Sequence, residues 1–215
     1  RSGKSPYSDW PSYDVVAQAM GGVMSLTGPD ADSFTKVGPG VGDIFSGMIM
    51  AFGILAALRL AEATGEGQFV DVAMYDAVLS LCERAVYLND FNGTTPGPEG
   101  NNHPFLAPFG LFKAKDGAVA IGVVEDKFWQ ILADAIGGDA LCSNAKFATR
   151  AARAEHKDAL NSLVETWTKA HTKAELSDIL GSRIPFGPLN SITDIVDDPH
   201  VLERGMLAQV SNPDS

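Results

Sequence analysis

The chain has 215 residues, enough to bury one sizeable core or two small ones. A net charge of −11 disfavours sequence-independent binding to nucleic acid or to an anionic membrane, since both need clustered Lys and Arg. Two cysteines, Cys82 and Cys142, stand far apart with no C-x-x-C spacing, which fits a reducing cytosol and argues against a disulfide scaffold or a zinc site.

The opening, Arg1 to Pro11, is polar and lacks the apolar core of a signal peptide. A helix is expected from Tyr13 to Leu26, ending at Thr27-Gly28-Pro29. A polar loop leads to Gly38-Pro39-Gly40-Val41-Gly42, and Asp43 then stands as the expected N-cap of a long apolar helix ending near Thr64-Gly65. Its most hydrophobic part, Ile44 to Leu58, is shorter than the roughly 20 apolar residues of a membrane span and reads as a buried helix of a soluble protein. Ala51, Gly53, Ala56 and Ala57 would let neighbouring helices approach it closely. Phe69 to Ala73 reads as a strand and Met74 to Leu88 as a helix.

From Asn89 to Pro108 the composition turns to Gly, Pro, Asn and Thr, the mark of a linker or functional loop. Phe109–Ala114 and Ala118–Val124 flank Lys115-Asp116-Gly117, a hairpin pattern. Helices are expected at Asp126–Ile136, Arg153–Lys169 and Lys173–Leu180, with Phe128, Trp129 and Trp167 in the core. Ile184-Pro185-Phe186-Gly187-Pro188 breaks the pattern. Short helices at Ser191–Val196 and Pro199–Arg204 precede a final strand, Leu207 to Val210. The fold class is α/β, with an expected division into 1–90, a linker or active-site loop at 91–108, a small domain at 109–204 with a short antiparallel sheet, and a return segment at 205–215.

Asp43 is the residue with the clearest chemical potential. Glycines before it let a ligand approach the backbone, the start of a helix favours a negative charge, and a carboxylate needs no partner base to act as a nucleophile. The same pattern also describes a plain helix start in a glycine-rich turn.

The segment G-P-G-V-G-D-I-F-S-G-M-I-M-A-F-G-I-L-A-A-L, followed by T-G-E-G-Q-F-V-D-V-A-M-Y-D-A-V-L, resembles the signature of the CaiB/BaiF family, the family III CoA-transferases. The runs Y-D-V-V-A-Q-A-M-G-G-V-M-S-L-T-G, G-N-N-H-P-F-L-A-P-F-G-L-F-K-A-K-D-G and I-P-F-G-P-L-N-S-I-T-D-I-V-D-D-P-H-V match in the same order. The resemblance implies that this chain is the middle of a protein about twice as long, with an incomplete Rossmann-like large domain and a small α+β domain. It also implies a cytoplasmic enzyme that forms interlocked homodimers, takes acyl-CoA and a carboxylic acid as substrates, and uses no cofactor or metal beyond coenzyme A itself as substrate. No nucleic acid or membrane partner is expected.

By the same resemblance Asp43 is the catalytic nucleophile, passing through an aspartyl anhydride and an aspartyl-CoA thioester. Tyr13, Asp14, Gln18, Gly40, Gly42, Gly100, Asn101, His103 and Glu125 are the expected substrate or CoA contacts. An anhydride must be kept from water, and Gly93 to Asn101 is the expected lid. Two alternatives stand beside this reading. An α-methylacyl-CoA racemase would need a base at Tyr13, where related racemases carry His, and a phenol is a poor base at neutral pH. A catalytically silent CoA-binding or interaction module would keep the fold alone.

Overall fold

The computed structural model describes residues 5–211; the polar opening and the end of the return segment extend into 1–4 and 212–215, outside the described residues. The chain divides into two compact units, Arg1–Asn101 and Asn102–Ser215. Together they make a mixed α/β protein with one three-stranded antiparallel sheet among the described residues.

The first unit is helical: α1 (Asp14–Met20), a 3-10 turn (Val23–Leu26), α2 (Val41–Thr64), α3 (Met74–Ser80) and α4 (Glu83–Asn92). The helix expected over Tyr13–Leu26 breaks at Gly21-Gly22. Gly22 takes a left-handed φ of 98°, and a Cβ on Gly21 would fall 2.7 Å from the Cβ of Val78 on α3. The helix expected over Met74–Leu88 likewise breaks, at Leu81-Cys82. The thiol of Cys82 is buried and sits 3.6 Å from the carbonyl oxygen of Gly21; burial, and Glu83 beside it, push its pKa up.

Phe69–Ala73 is not a strand. It runs as irregular chain along α2, with Val70 Cγ1 2.9 Å from where a Cβ of Gly53 would lie. A β-strand exists only with a hydrogen-bonded partner, and no other strand lies in the described part of this unit.

The 24-residue helix α2 departs furthest from expectation. By length and composition it is apolar enough to cross a membrane, yet only 6% of its most apolar window is buried. Its inner face carries Gly42, Ser46, Gly53 and Ala57 toward α1, α3 and Val70, whereas Ile44, Met48, Phe52, Leu55 and Leu58 are exposed. Ala51 and Ala56, expected to admit close helix packing, are also exposed. The reading of this helix as buried is therefore wrong for this chain. Apolar composition predicts burial only where some neighbour covers the face, and within this unit the buried positions of α2 are the small residues Gly42, Ser46 and Ala57.

The second unit has a single core. β1 (Phe109–Ala114) pairs antiparallel with β2 (Gly117–Gly122), which pairs with β3 (Phe186–Pro188). The two-residue turn at Lys115-Asp116 realises the expected hairpin, and the Asp116 carboxylate accepts a hydrogen bond from the Lys173 N–H. β3 lies where a break was expected; Pro188 cannot donate, so the segment fits only at an edge. No strand forms at Leu207–Val210.

Helices α5 (Asp126–Cys142), α6 (Arg150–Glu155), α7 (Lys157–Thr168), α8 (Lys173–Leu180), α9 (Ile192–Val196) and α10 (Pro199–Glu203) complete it. The regular part of α5 ends at Gly137-Gly138, where Gly138 takes φ 59° and ψ −151°. α8 starts on a capping box between Thr172 and Glu175. The expected helix Arg153–Lys169 is two helices, α6 and α7, meeting at His156.

Trp129, Leu132, Val119, Ile121, Leu160, Val164, Leu176 and Leu180 are fully buried, with Phe128 and Trp167 packed against them. Arg153 is buried as well. It donates to the Asp126 carboxylate at 2.8 Å and to the Phe147 carbonyl at 3.2 Å, and lies 5.6 Å from the centre of the Trp129 ring.

Three substitutions test this packing in the 215-residue chain. Leu176→Ala should cost about 2–5 kcal/mol in urea melts, whereas Phe52→Ala, on the outer face of α2, should stay within about 0.5 kcal/mol of wild type. Gly42→Ala should cost about 1–2 kcal/mol. Its Cβ would meet Asp14 Oδ1 at 3.0 Å and the Ala17 Cβ at 3.2 Å; the carboxylate can turn away only by giving up its bonds to Gly42 and Gln18, and the Ala17 Cβ only if α1 moves.

Candidate active site

The site is built where α1 meets the first turn of α2. Gly40 is the N-cap of α2 and has no side chain to offer the orphan N–H groups of a helix start. Its place is taken from another helix. The carboxylate of Asp14, in the first turn of α1, accepts from the Gly42 N–H at 2.8 Å. Only a glycine at position 42 lets that carboxylate, and Ala17 behind it, come so near.

Gln18, one turn further along α1, is 0% exposed. Its Nε2 donates to the second oxygen of Asp14 at 2.8 Å and to the Val37 carbonyl at 3.4 Å, and its Oε1 accepts from the Val37 N–H at 2.8 Å. The loop entering α2 and the first turn of α2 are thus both tied to α1 by two side chains.

Asp43 is not the N-cap expected from the sequence but the third residue of α2. It is exposed. Its Oδ2 and the carboxyl carbon of Asp14 lie 3.6 Å and 3.8 Å from the point where a Cβ of Gly40 would stand, so both carboxylates come close to that glycine. Below Asp43, Ser46 is buried, and its hydroxyl donates to the Gly42 carbonyl at 2.6 Å and the Asp43 carbonyl at 3.2 Å. Ser46 and Val37 were not singled out from sequence. Ser46 could have been found, since it stands four residues after Gly42 on the same helical face; Val37 contributes only backbone.

The structure therefore brings together Asp14, Gln18, Gly40, Gly42 and Asp43. Tyr13, the N-cap of α1, is 80% exposed and makes no side-chain cap. Gly100, with φ 65°, donates its N–H to the Gly28 carbonyl at 3.0 Å, and Glu99 beside it pairs with Arg84 at 3.0 Å. The end of the Gly93–Asn101 segment is thereby anchored within the first unit, with Asn101 exposed.

His103 and Glu125 belong to the second unit. The His103 Nδ1 accepts from the Phe105 N–H at 3.1 Å, and the ring lies edge-on to Phe109. Glu125 is the N-cap of α5 and pairs with Lys127 at 2.7 Å.

Among the described residues no cluster of three His, Cys, Asp or Glu could hold a metal. Two cavities stand out. One, of about 420 Å³, runs along α4 past Arg84, Tyr87 and Phe91. The other, of about 410 Å³, lies between β1 and α7 and includes Asn161 and Lys169. Neither is lined by Asp43, which stands on open surface.

Comparison with known proteins agrees over the whole chain. Succinyl-CoA:mesaconate CoA-transferase of Haloarcula marismortui is 43% identical over 213 residues, covering 99% of this chain and 53% of that protein. Acetyl-CoA:oxalate CoA-transferase of Acetobacter aceti is 32% identical, covering 94% of this chain and 52% of its own length. The crystal structure of a CaiB/BaiF family protein from Brucella suis superposes with a TM-score of 0.79 at 32% identity, covering 94% of this chain and 54% of that one. The chain spans about half the length of the curated relatives it matches. With all of residues 1–215 matching CoA-transferase family III, the chain belongs to that family.

Proposed function

We propose that the protein transfers coenzyme A from an acyl-CoA to a free carboxylic acid, with Asp43 as the nucleophile. The observation that carries this reading is the placement of Asp43: an exposed carboxylate in the first turn of α2, on a backbone fixed by Asp14 and opened by glycines. In the first step an Asp43 oxygen attacks the thioester carbonyl and the C–S bond breaks, giving a mixed anhydride and CoA thiolate. The thiolate then attacks the Asp43 carbonyl carbon, releasing the donor acid and leaving an aspartyl-CoA thioester. The acceptor carboxylate repeats the two steps in reverse, so charge and atoms balance without an added base, metal or oxidant.

The 43% identical relative is named for succinyl-CoA and mesaconate, which makes that donor and acceptor the first pair to assay. Gly93–Asn101 is the segment we assign to shielding the anhydride from water, and His103 and Glu125 are carried as substrate contacts through the family resemblance. In the same reading the first unit is part of a Rossmann-like large domain. The protein works as a homodimer, and the exposed apolar face of α2 supports an assembly that covers it. Cys82 and Cys142 are free thiols, in keeping with a cytosolic setting.

The test uses the protein expressed from its complete gene. After succinyl-CoA treatment, hydroxylamine should convert the activated carboxyl to a hydroxamate located by peptide mass spectrometry on Asp43. Asp43→Asn should lack the adduct and lose exchange of labelled CoA by about a thousandfold or more. Exchange that survives this substitution, or an adduct on another residue, rejects the assignment.

A further inference from the structure

The chain Gly42–Asp14–Gln18–Val37 has a polarity that constrains its chemistry. Backbone N–H groups enter it from both ends, from Gly42 onto Asp14 Oδ1 and from Val37 onto Gln18 Oε1. Each end must therefore be met by an oxygen. The remaining bond, between the two side chains at 2.8 Å, needs one donor and one acceptor. Two amides would set N–H against N–H at that point, and two carboxylates would set oxygen against oxygen. One acid and one amide is the combination that satisfies all three of these bonds, and such a relay is costly when half satisfied.

Gln18 is 0% exposed and offers no atom to a substrate. Asp14 spends one oxygen on Gly42 and the other on Gln18. We propose that Asp14 and Gln18 are positioning residues: they act as an external cap that holds the first turn of α2, and through it Asp43, in the reactive placement. This rests on Asp43 being the nucleophile, but the relay itself is readable without activity.

The acid and the amide can change places in this relay. In the pair Asp14→Asn with Gln18→Glu, the introduced amide still accepts from Gly42 with its oxygen and now donates to the introduced carboxylate, which accepts from Val37. Charge and the three hydrogen bonds of 2.8 Å are retained, and the longer 3.4 Å bond from the Gln18 amide to the Val37 carbonyl is lost. Each single substitution breaks the middle bond.

In the protein expressed from its complete gene, kcat for CoA exchange should fall about 10–100-fold in each single variant, the scale of a small misplacement of reacting groups. KM should stay within about threefold, and Tm should fall by about 5 °C as one charge-assisted hydrogen bond is lost. The double variant should return to within about threefold of wild-type kcat and recover most of the Tm. A double variant that folds where a single one does not counts as the same rescue.

A double variant no better than the worse single one on both measures overturns the proposal. If Tm recovers while kcat does not, the charge on Asp14 itself acts on the reacting atoms and the positioning assignment is wrong. If the wild type shows no exchange at all, the reading of Asp43 fails, and the Tm cycle alone decides the relay.

Discussion

One hydrogen bond organises this half of the molecule: the Gly42 N–H donated to the carboxylate of Asp14. A helix start leaves N–H groups without partners, and α2 begins on a glycine that cannot supply one. Meeting that need from α1 joins the two helices at the point where Asp43 emerges. It also brings two carboxylates close to Gly40. The positive end of the α2 dipole and the Gln18 amide offset that repulsion, which gives the amide on α1 a reason to be buried there.

The second constraint is the inverted design of α2. A surface helix ordinarily buries its large apolar residues and exposes small or polar ones. Here the contacts to α1, α3 and Val70 fall on Gly42, Ser46, Gly53 and Ala57, and the large residues Ile44, Met48, Phe52 and Leu55 form a stripe on the opposite side. The periodicity of the helix is one of size rather than polarity. Exposed apolar residues scattered singly are ordinary, whereas here they line up as a continuous stripe along one side of the helix. The curated relatives have about as much chain again as the part matched here.

What the sequence made legible follows from how local each signal is. The Lys115-Asp116 turn, the helix at Lys173–Leu180 and the regular part of α5 as far as Ile136 depend on neighbours a few residues away, and all are present. Phe69–Ala73 and Leu207–Val210 carry β-forming residues but find no partner strand among the described residues. Phe186–Pro188, with a glycine and a proline, becomes a strand because β2 offers it an edge. Asp43 was legible as a helix-start acid after glycines, though its cap role belongs to Asp14. The Gln18–Val37 link was not, because it spans 19 residues and ends on backbone.

The same size periodicity bears on how accurately Asp43 can be held. Gly21 against Val78, Gly42 against Ala17, and Gly53 against Val70 bring main chain directly onto a neighbouring side chain or helix, with no long side chain between. Contacts through Leu or Met would leave rotamers to choose among; contacts through glycine leave almost none. The backbone of α2 is thereby located by shape, and its first turn by the Asp14 bond. The freedom left to the site is the rotation of the exposed Asp43 side chain itself, which is the freedom the proposed reaction asks of it.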